Sequence, residues 1–265
     1  MTAAQAPFTS WPAVPPMRQL PLAIKLAPQP SFDSFVPGAN AAAVWHMQAL
    51  CTPTADAHAA AAGQLPPTYL WGPPATGKTH LLRAASQAQQ QAGRHVGWFD
   101  AADALPWTLQ PDWALVVVDR CEALDAAAQH AAFALFVEAG SLGVPWAAAG
   151  RLPPVDLALR DDLRTRLGWG HVFALQPLSE AETRAALRCE SDRRGIFLSD
   201  EVMDHLLTRF ERDLGTLLGL LDRLDDFSLA RGRPVTVPLL RLMLSEQPPV
   251  AGHVGAGELD VGTTA

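Results

Sequence analysis

The sequence predicts an α/β domain with a mostly parallel sheet covered by helices on both faces, followed by a small all-helical domain. Three observations carry this. Short apolar runs alternate with helix-like or loop segments between residues 68 and 176. A glycine-rich loop, GPPATGKT at 72–79, follows the first of those runs and opens a helix. After Gln176 the strand-like runs stop and helical spacing takes over.

The runs expected to be strands are TYLWG (68–72), HVGWFD (95–100), WALVVVD (113–119), PWAAAG (145–150) and HVFALQ (171–176). Each is too short for a helix and rich in residues that fit a sheet buried on both sides. In the C-terminal part, Ser179 with Glu182 forms a capping box, and the stretches 181–194, 199–212, 214–230 and 236–246 carry helical spacing. The organisation expected is an extended Pro-rich arm over 1–30, a nucleotide-binding α/β domain over 31–177, a helical domain over 178–246 and a disordered tail over 247–265.

Composition narrows the function. A chain of 265 residues with 49% hydrophobic residues can bury a sizeable core. A formal charge of −7 without a basic run argues against direct, sequence-specific nucleic acid binding. Cys51, Cys121 and Cys189 are odd in number and widely spaced, and the eight histidines are scattered, so neither a disulfide framework nor a protein-built metal cluster is expected. No apolar stretch is long enough to span a membrane and no leader pattern opens the chain, which makes a cytoplasmic protein the expectation.

The motif with the most chemistry is G-x-x-x-x-G-K-T: Gly72, Pro73, Pro74, Ala75, Thr76, Gly77, Lys78 and Thr79, with His80 following. The glycines let backbone N–H groups turn inward around a β-phosphate. Lys78 reaches the β- and γ-phosphates, and Thr79 is placed to hold Mg²⁺. ADP or ATP is therefore the expected ligand. Asp119, ending the third apolar run, supplies a carboxylate for the magnesium; standing alone, an Asp there would as readily end a turn or cap a helix.

An α/β nucleotide domain followed by a helical lid resembles the AAA+ proteins, and several stretches resemble their DnaA branch. SFDSFVPGAN (31–40) resembles the segment that packs near adenine, and LRTRLGWGHVFALQPLSEAET (163–183) resembles the arginine-finger region and the entry into the lid. DnaA initiators continue into a DNA-reading domain, whereas 19 residues follow Glu246 here. The resemblance therefore points to the Hda family, DnaA-related regulatory inactivators. It implies as partners the initiator DnaA and the DNA polymerase III sliding clamp, and it leaves room for a homo-oligomer. The rival readings are a self-sufficient AAA+ ATPase, such as a helicase loader, and a DNA-binding initiator fragment.

Within that resemblance, Gln19, Leu20, Leu22 and Ile24 match the clamp-binding motif near the N-terminus of the family. A glutamine amide at a pocket rim with apolar side chains filling the pocket is a common way for an extended peptide to dock. Ala23 departs from the motif, which usually has proline there, and by itself the segment would equally suit a first strand or a linker. Arg166 matches the arginine finger that reaches a neighbour's γ-phosphate; Arg164 is the local rival or helper, and an i,i+4 pair between Arg166 and Asp162 is the plainer alternative. Other catalytic positions are altered. Arg120 stands where such proteins place an acid to polarise water, the run 145–150 ends in Ala149 and Gly150 where a polar sensor is expected unless Arg151 leans in, and Gly215 replaces a second sensor arginine, with Arg212 three residues earlier. Weak or no intrinsic ATPase activity is the expectation, with Glu122 pointing elsewhere.

Overall fold

A computed structural model of the chain describes residues 30–52, 65–210 and 213–246. Five strands, β1 (Thr68–Trp71), β2 (His95–Phe99), β3 (Trp113–Val118), β4 (Trp146–Gly150) and β5 (His171–Ala174), form one sheet in the order β2-β3-β4-β1-β5, with every pairing parallel. These are the five expected runs, each a residue or two shorter. Parallel neighbours need crossovers, and here helices α1 (Ala41–Cys51), α2 (Lys78–Gln91), α3 (Ala126–Leu142) and α4 (Asp161–Trp169) cover the two faces.

The two-residue period of β3 shows how the faces divide. Leu115 and Val117 join Leu70, Ala147 and Ala149 against Val44 and Met47 of α1 and Leu81 and Leu82 of α2. Val116 and Val118 point the other way and join Tyr69 and Ala148 against Leu135 and Phe136 of α3 and Leu163 and Leu167 of α4. The three alanines of β4 let helices approach closely on both sides. Asp125 caps α3 by accepting from the Ala128 N–H at 2.8 Å, and Gly143, at φ 66°, ends it in the left-handed conformation that glycine adopts without strain.

The C-terminal helices α5 (Glu180–Arg193), α6 (Asp200–Arg209), α7 (Leu214–Arg231) and α8 (Val237–Glu246) have a core of their own, centred on Leu187, Met203, Leu206, Leu221, Leu224 and Leu240. Both halves of the expected capping box are present: the Glu182 N–H donates to Ser179 Oγ at 3.3 Å, and the Ser179 N–H donates to Glu182 Oε2 at 2.8 Å. Ser199 and Asp213 likewise cap α6 and α7.

The segment before α1 is fastened to the connection that leads into these helices. Asn40, 5% exposed, donates from Nδ2 to the Gln176 carbonyl at 2.9 Å and accepts the Gln176 N–H on Oδ1 at 2.8 Å. One amide thus satisfies two backbone groups 136 residues away. Asn40→Ala loses both bonds and is expected to cost about 1–2 kcal/mol in urea unfolding, since each is worth about 0.5–1.5 kcal/mol. Asn40→Asp keeps the acceptor but sets a buried carboxylate against the Gln176 carbonyl oxygen, and is expected to lose at least as much as the alanine variant.

Candidate nucleotide-binding site

The ends of β1, β3 and β4 meet because β1 lies between β4 and β5 and pairs Trp71 with both Gly150 and Ala174. The chain leaves β1 at Gly72, and a Cβ there would stand 2.4 Å from the Leu175 carbonyl oxygen, so this close passage admits only glycine. Gly77, at φ 90°, turns the loop into α2, and a Cβ on it would strike the Phe35 ring at 2.5 Å. Ala75 also has positive φ, at 64°. These turns aim the first N–H groups of α2 at one point, the arrangement that binds phosphate.

Lys78 Nζ lies over the loop and donates to the carbonyls of Gly72 at 2.8 Å and Pro73 at 2.6 Å and to Thr76 Oγ1 at 3.3 Å. Burial lowers its pKa, an effect opposed by the Glu122 and Asp119 carboxylates and reinforced by Arg151. Thr79 Oγ1 donates to Asp119 Oδ2 at 2.7 Å, and Asp119 is 5% exposed. A hydroxyl and a carboxylate held side by side at the first turn of α2 form a hard-oxygen pair suited to Mg²⁺. The cradle and donor set therefore fit a magnesium-bound nucleotide.

A cleft of about 360 Å³ opens in front of the loop. Of the residues expected to bind nucleotide, Pro74, Ala75, Thr76, Gly77, Lys78, Thr79, His80 and Asp119 border it, while Gly72 and Pro73 lie behind, holding Lys78. One wall comes from the entry segment, with Ser34, Phe35 and Val36. The opposite wall comes from the helical domain, with Leu178, Asp213, Leu214, Gly215 and Leu218. His80 fastens the entry segment: its Nε2 lies 3.0 Å from the Ser31 carbonyl oxygen and 3.2 Å from Ser34 Oγ, with its ring 5.5 Å from that of Phe35. Gly215 stands at the rim with its N–H donated to the Asp213 carboxylate at 3.1 Å. Arg212 lies outside the described residues.

One expectation about the phosphate end changes, the direction of Glu122. Arg120, at φ 52° and ψ 49°, is a non-glycine residue in left-handed conformation, and its guanidinium turns away to Asp100 Oδ2 at 2.8 Å. Asp100 is pushed up by burial, but the Ala102 N–H and Arg120 outweigh this and hold it below the usual carboxylate range. The same reversal starts a 3₁₀ turn, Cys121–Ala123, that carries Glu122 inward rather than elsewhere. There Glu122 Oε1 lies 3.2 Å from Arg151 Nε, and Oε2 accepts the Arg151 N–H at 3.2 Å. An acid that the sequence directed elsewhere thus borders the cleft, and beside it stands Arg151, the cation that the sequence left open to lean in.

Arg166 and Arg164 sit on α4, whose Leu163 and Leu167 are in the core. Neither borders the cleft. Arg164 pairs with Asp161 at 2.5 Å, Asp162 accepts from Arg160 at 2.8 Å, and Arg166 is half-buried. Gln19, Leu20, Leu22, Ala23 and Ile24 lie outside the described residues.

Residues 180–244 match the family model described as Hda, lid domain. Domain III of the replication initiation protein DnaA from Thermotoga maritima superposes with a TM-score of 0.65 at 19% identity, over 83% of this chain and 97% of that one. AMPPCP-bound DnaA from Aquifex aeolicus gives 0.62 at 21% identity, over 78% and 68%. The chain has a DnaA-type AAA+ fold with an Hda-type lid. RuvB of Thermotoga maritima shares the general architecture, with a TM-score of 0.57 at 15% identity over 82% of this chain and 72% of that one. The Hda-type lid is thus the part that closes one side of the cleft. Among the described residues, no helix is long and apolar enough to cross a membrane.

Two histidines make the fold pH-dependent. Burial lowers the His80 pKa, with Arg83 adding to the effect and the Ser31 carbonyl opposing it; burial and the neighbouring His171 lower that of His46, whose Nε2 lies 2.9 Å from Thr68 Oγ1. Each folded value lies below the unfolded one, so the unfolded chain binds protons first on acidification. The stability is present above the ordinary imidazole value of about 6.5 and is lost as the pH falls through the folded values. Melting temperature is expected to fall between pH values of about 7 and 5, above the carboxylate range. The fall should be shallower in a His46→Gln, His80→Gln double variant.

Proposed function

We propose that the protein is an Hda-like adaptor that restrains chromosomal replication: it binds ADP or ATP with Mg²⁺, docks on the sliding clamp through residues 18–26, and stimulates hydrolysis of ATP bound to DnaA. The observation that carries this reading is an Hda-type lid over residues 180–244 closing a phosphate-loop cleft. The AMPPCP in the similar Aquifex aeolicus DnaA supports a nucleotide ligand.

The residues have separate tasks. The N–H groups of Ala75 to Lys78 would donate to phosphate oxygens, Lys78 would exchange its loop carbonyls for the β-phosphate, and Thr79 and Asp119 would hold the magnesium. A nucleotide in the cleft would touch residues of both the α/β domain and the lid. On the partner, Arg166 reaches the γ-phosphate and neutralises charge as it develops, a contribution worth about 10³–10⁵ in rate in other systems. Arg164 assists or braces α4. In the arm, Gln19 and the apolar Leu20, Leu22 and Ile24 fill the clamp's peptide pocket. The protein works in the cytoplasm, reads no DNA sequence itself, and leaves hydrolysis to DnaA.

Lys78→Ala is expected to weaken ADP binding at least tenfold by calorimetry, since a charge-assisted phosphate contact is worth about 1.5–3 kcal/mol. Wild-type affinity in that variant would remove the site. Arg166→Ala is expected to keep ADP and clamp binding but lose stimulation of DnaA ATPase in the presence of clamp loaded on DNA. Lysine at that position should restore little, because a point charge does not reproduce the planar fork. Should Arg164→Ala alone abolish stimulation, the finger has been assigned to the wrong arginine.

For the arm, Gln19→Ala with Leu22→Ala is expected to abolish co-elution with the clamp while leaving nucleotide affinity unchanged. Undiminished co-elution would place clamp attachment on another surface.

A further inference from the structure

A second groove lies outside the nucleotide cleft, at one end of the sheet. β2 pairs with β3 alone, so among the described residues its other edge has no strand beside it. A cavity of about 310 Å³ opens between β2 and α2. Val96 and Trp98, two residues apart, share one face of the strand, while Arg83, Gln87 and Gln90 share one face of the helix. The Arg83 guanidinium lies over the Trp98 ring, 6.0 Å from its centre. The groove is thus apolar on its strand side and polar on its helix side.

Two observations indicate what fills it. Gln87 Oε1 is buried and has no hydrogen-bond partner among the described residues, so the groove holds an acceptor without a donor. Pro30, where the described chain begins, itself borders the groove, so the residues just before it start from within it. Arg83 and Gln90 are about 10 Å apart along the helix, and an extended chain advances about 3.3 Å per residue. The three or four residues before Pro30 therefore suffice to cover the groove: Leu26, Ala27, Pro28 and Gln29. Prolines at 28 and 30 favour extended backbone in the residue before each, and with that two-residue period Leu26 and Pro28 share a side with Pro30. Ala27 and Gln29 carry the N–H groups that the prolines lack, so either can supply the missing donor.

We propose that residues 26–29 of this chain occupy the groove, with Leu26 and Pro28 against Val96 and Trp98 and a backbone N–H on Gln87. Attachment through Pro30 gives this segment a local concentration that a separate peptide lacks. Only Lys25 then separates the seated segment from Ile24, the last residue assigned to clamp docking. On the clamp-docking reading of the arm, the clamp is joined to the α/β domain by a short fixed link rather than a long tether.

The test is limited trypsin digestion of the full chain, which has cleavage sites after Arg18 and after Lys25. Cleavage after Lys25, relative to that after Arg18, is expected to be about tenfold slower than in a synthetic peptide of residues 12–32, the effect of seating one apolar side chain. Gln90→Trp, on the exposed side of α2, obstructs the groove, and Leu26→Ala weakens the seated segment without touching the folded body. Both are expected to restore the ratio seen in the peptide. The Gln19→Ala, Leu22→Ala double variant should keep the protection, so failure of clamp docking and failure of this proposal are told apart. A wild-type ratio equal to that of the peptide, or protection that survives in Leu26→Ala, overturns the proposal. Protection that grows with protein concentration shows the groove taking the arm of a second copy and overturns it too.

Discussion

The structure depends on the placement of one short strand. β1 is four residues long and fully flanked, with β4 on one side and β5 on the other. That position brings the start of the phosphate loop beside the end of β4 and against the Leu175 carbonyl, at a distance only glycine tolerates. With β3 next to β4, Asp119 arrives within hydrogen-bonding distance of Thr79. Elements distant in sequence therefore converge because parallel strands emit their C-terminal loops at the same edge.

The second constraint is how the lid is attached. A single amide, Asn40, joins the entry segment to the chain leaving β5, so both walls of the cleft are referred to one buried point. From there Ser179 and Glu182 start α5 with a defined direction, and Asp213 starts α7 with its N-terminal turn at the rim. Each cap satisfies backbone donors at the start of its helix, and the Asp213 cap does so at the lining itself. The lid's packing of leucines is independent of this, so its position and its internal stability have different causes.

Much of this was legible in the sequence because it depends on local patterns. Runs such as VVV before Asp119 leave little alternative to a buried strand, and the phosphate loop is defined by contiguous letters. Glu122 and Arg120 show where that legibility stops. Their directions depend on a left-handed residue that is not glycine, a conformation disfavoured by about 1–2 kcal/mol and selected here by tertiary partners: Asp100 outward, Arg151 inward. Phe35 lies in the segment 31–40 that the resemblance set near adenine, whereas Leu178 and Leu218 were missed for a similar reason. They reach the cleft only once the sheet and the lid have formed, and no local spacing marks an apolar residue as a wall rather than as core. The expected clamp motif lies outside the described residues.

The shared lining of the cleft has a thermodynamic consequence. The sheet domain and the lid bury separate apolar cores, and each core gains from its own burial whatever the other does. A molecule seated between Gly77 and Leu218 touches both, so its binding free energy is available only while both are folded. Occupancy then adds to global stability as the logarithm of ligand concentration over its dissociation constant, and it penalises any state in which one unit melts alone. The cleft can therefore convert a concentration in the surrounding solution into cooperativity within the chain.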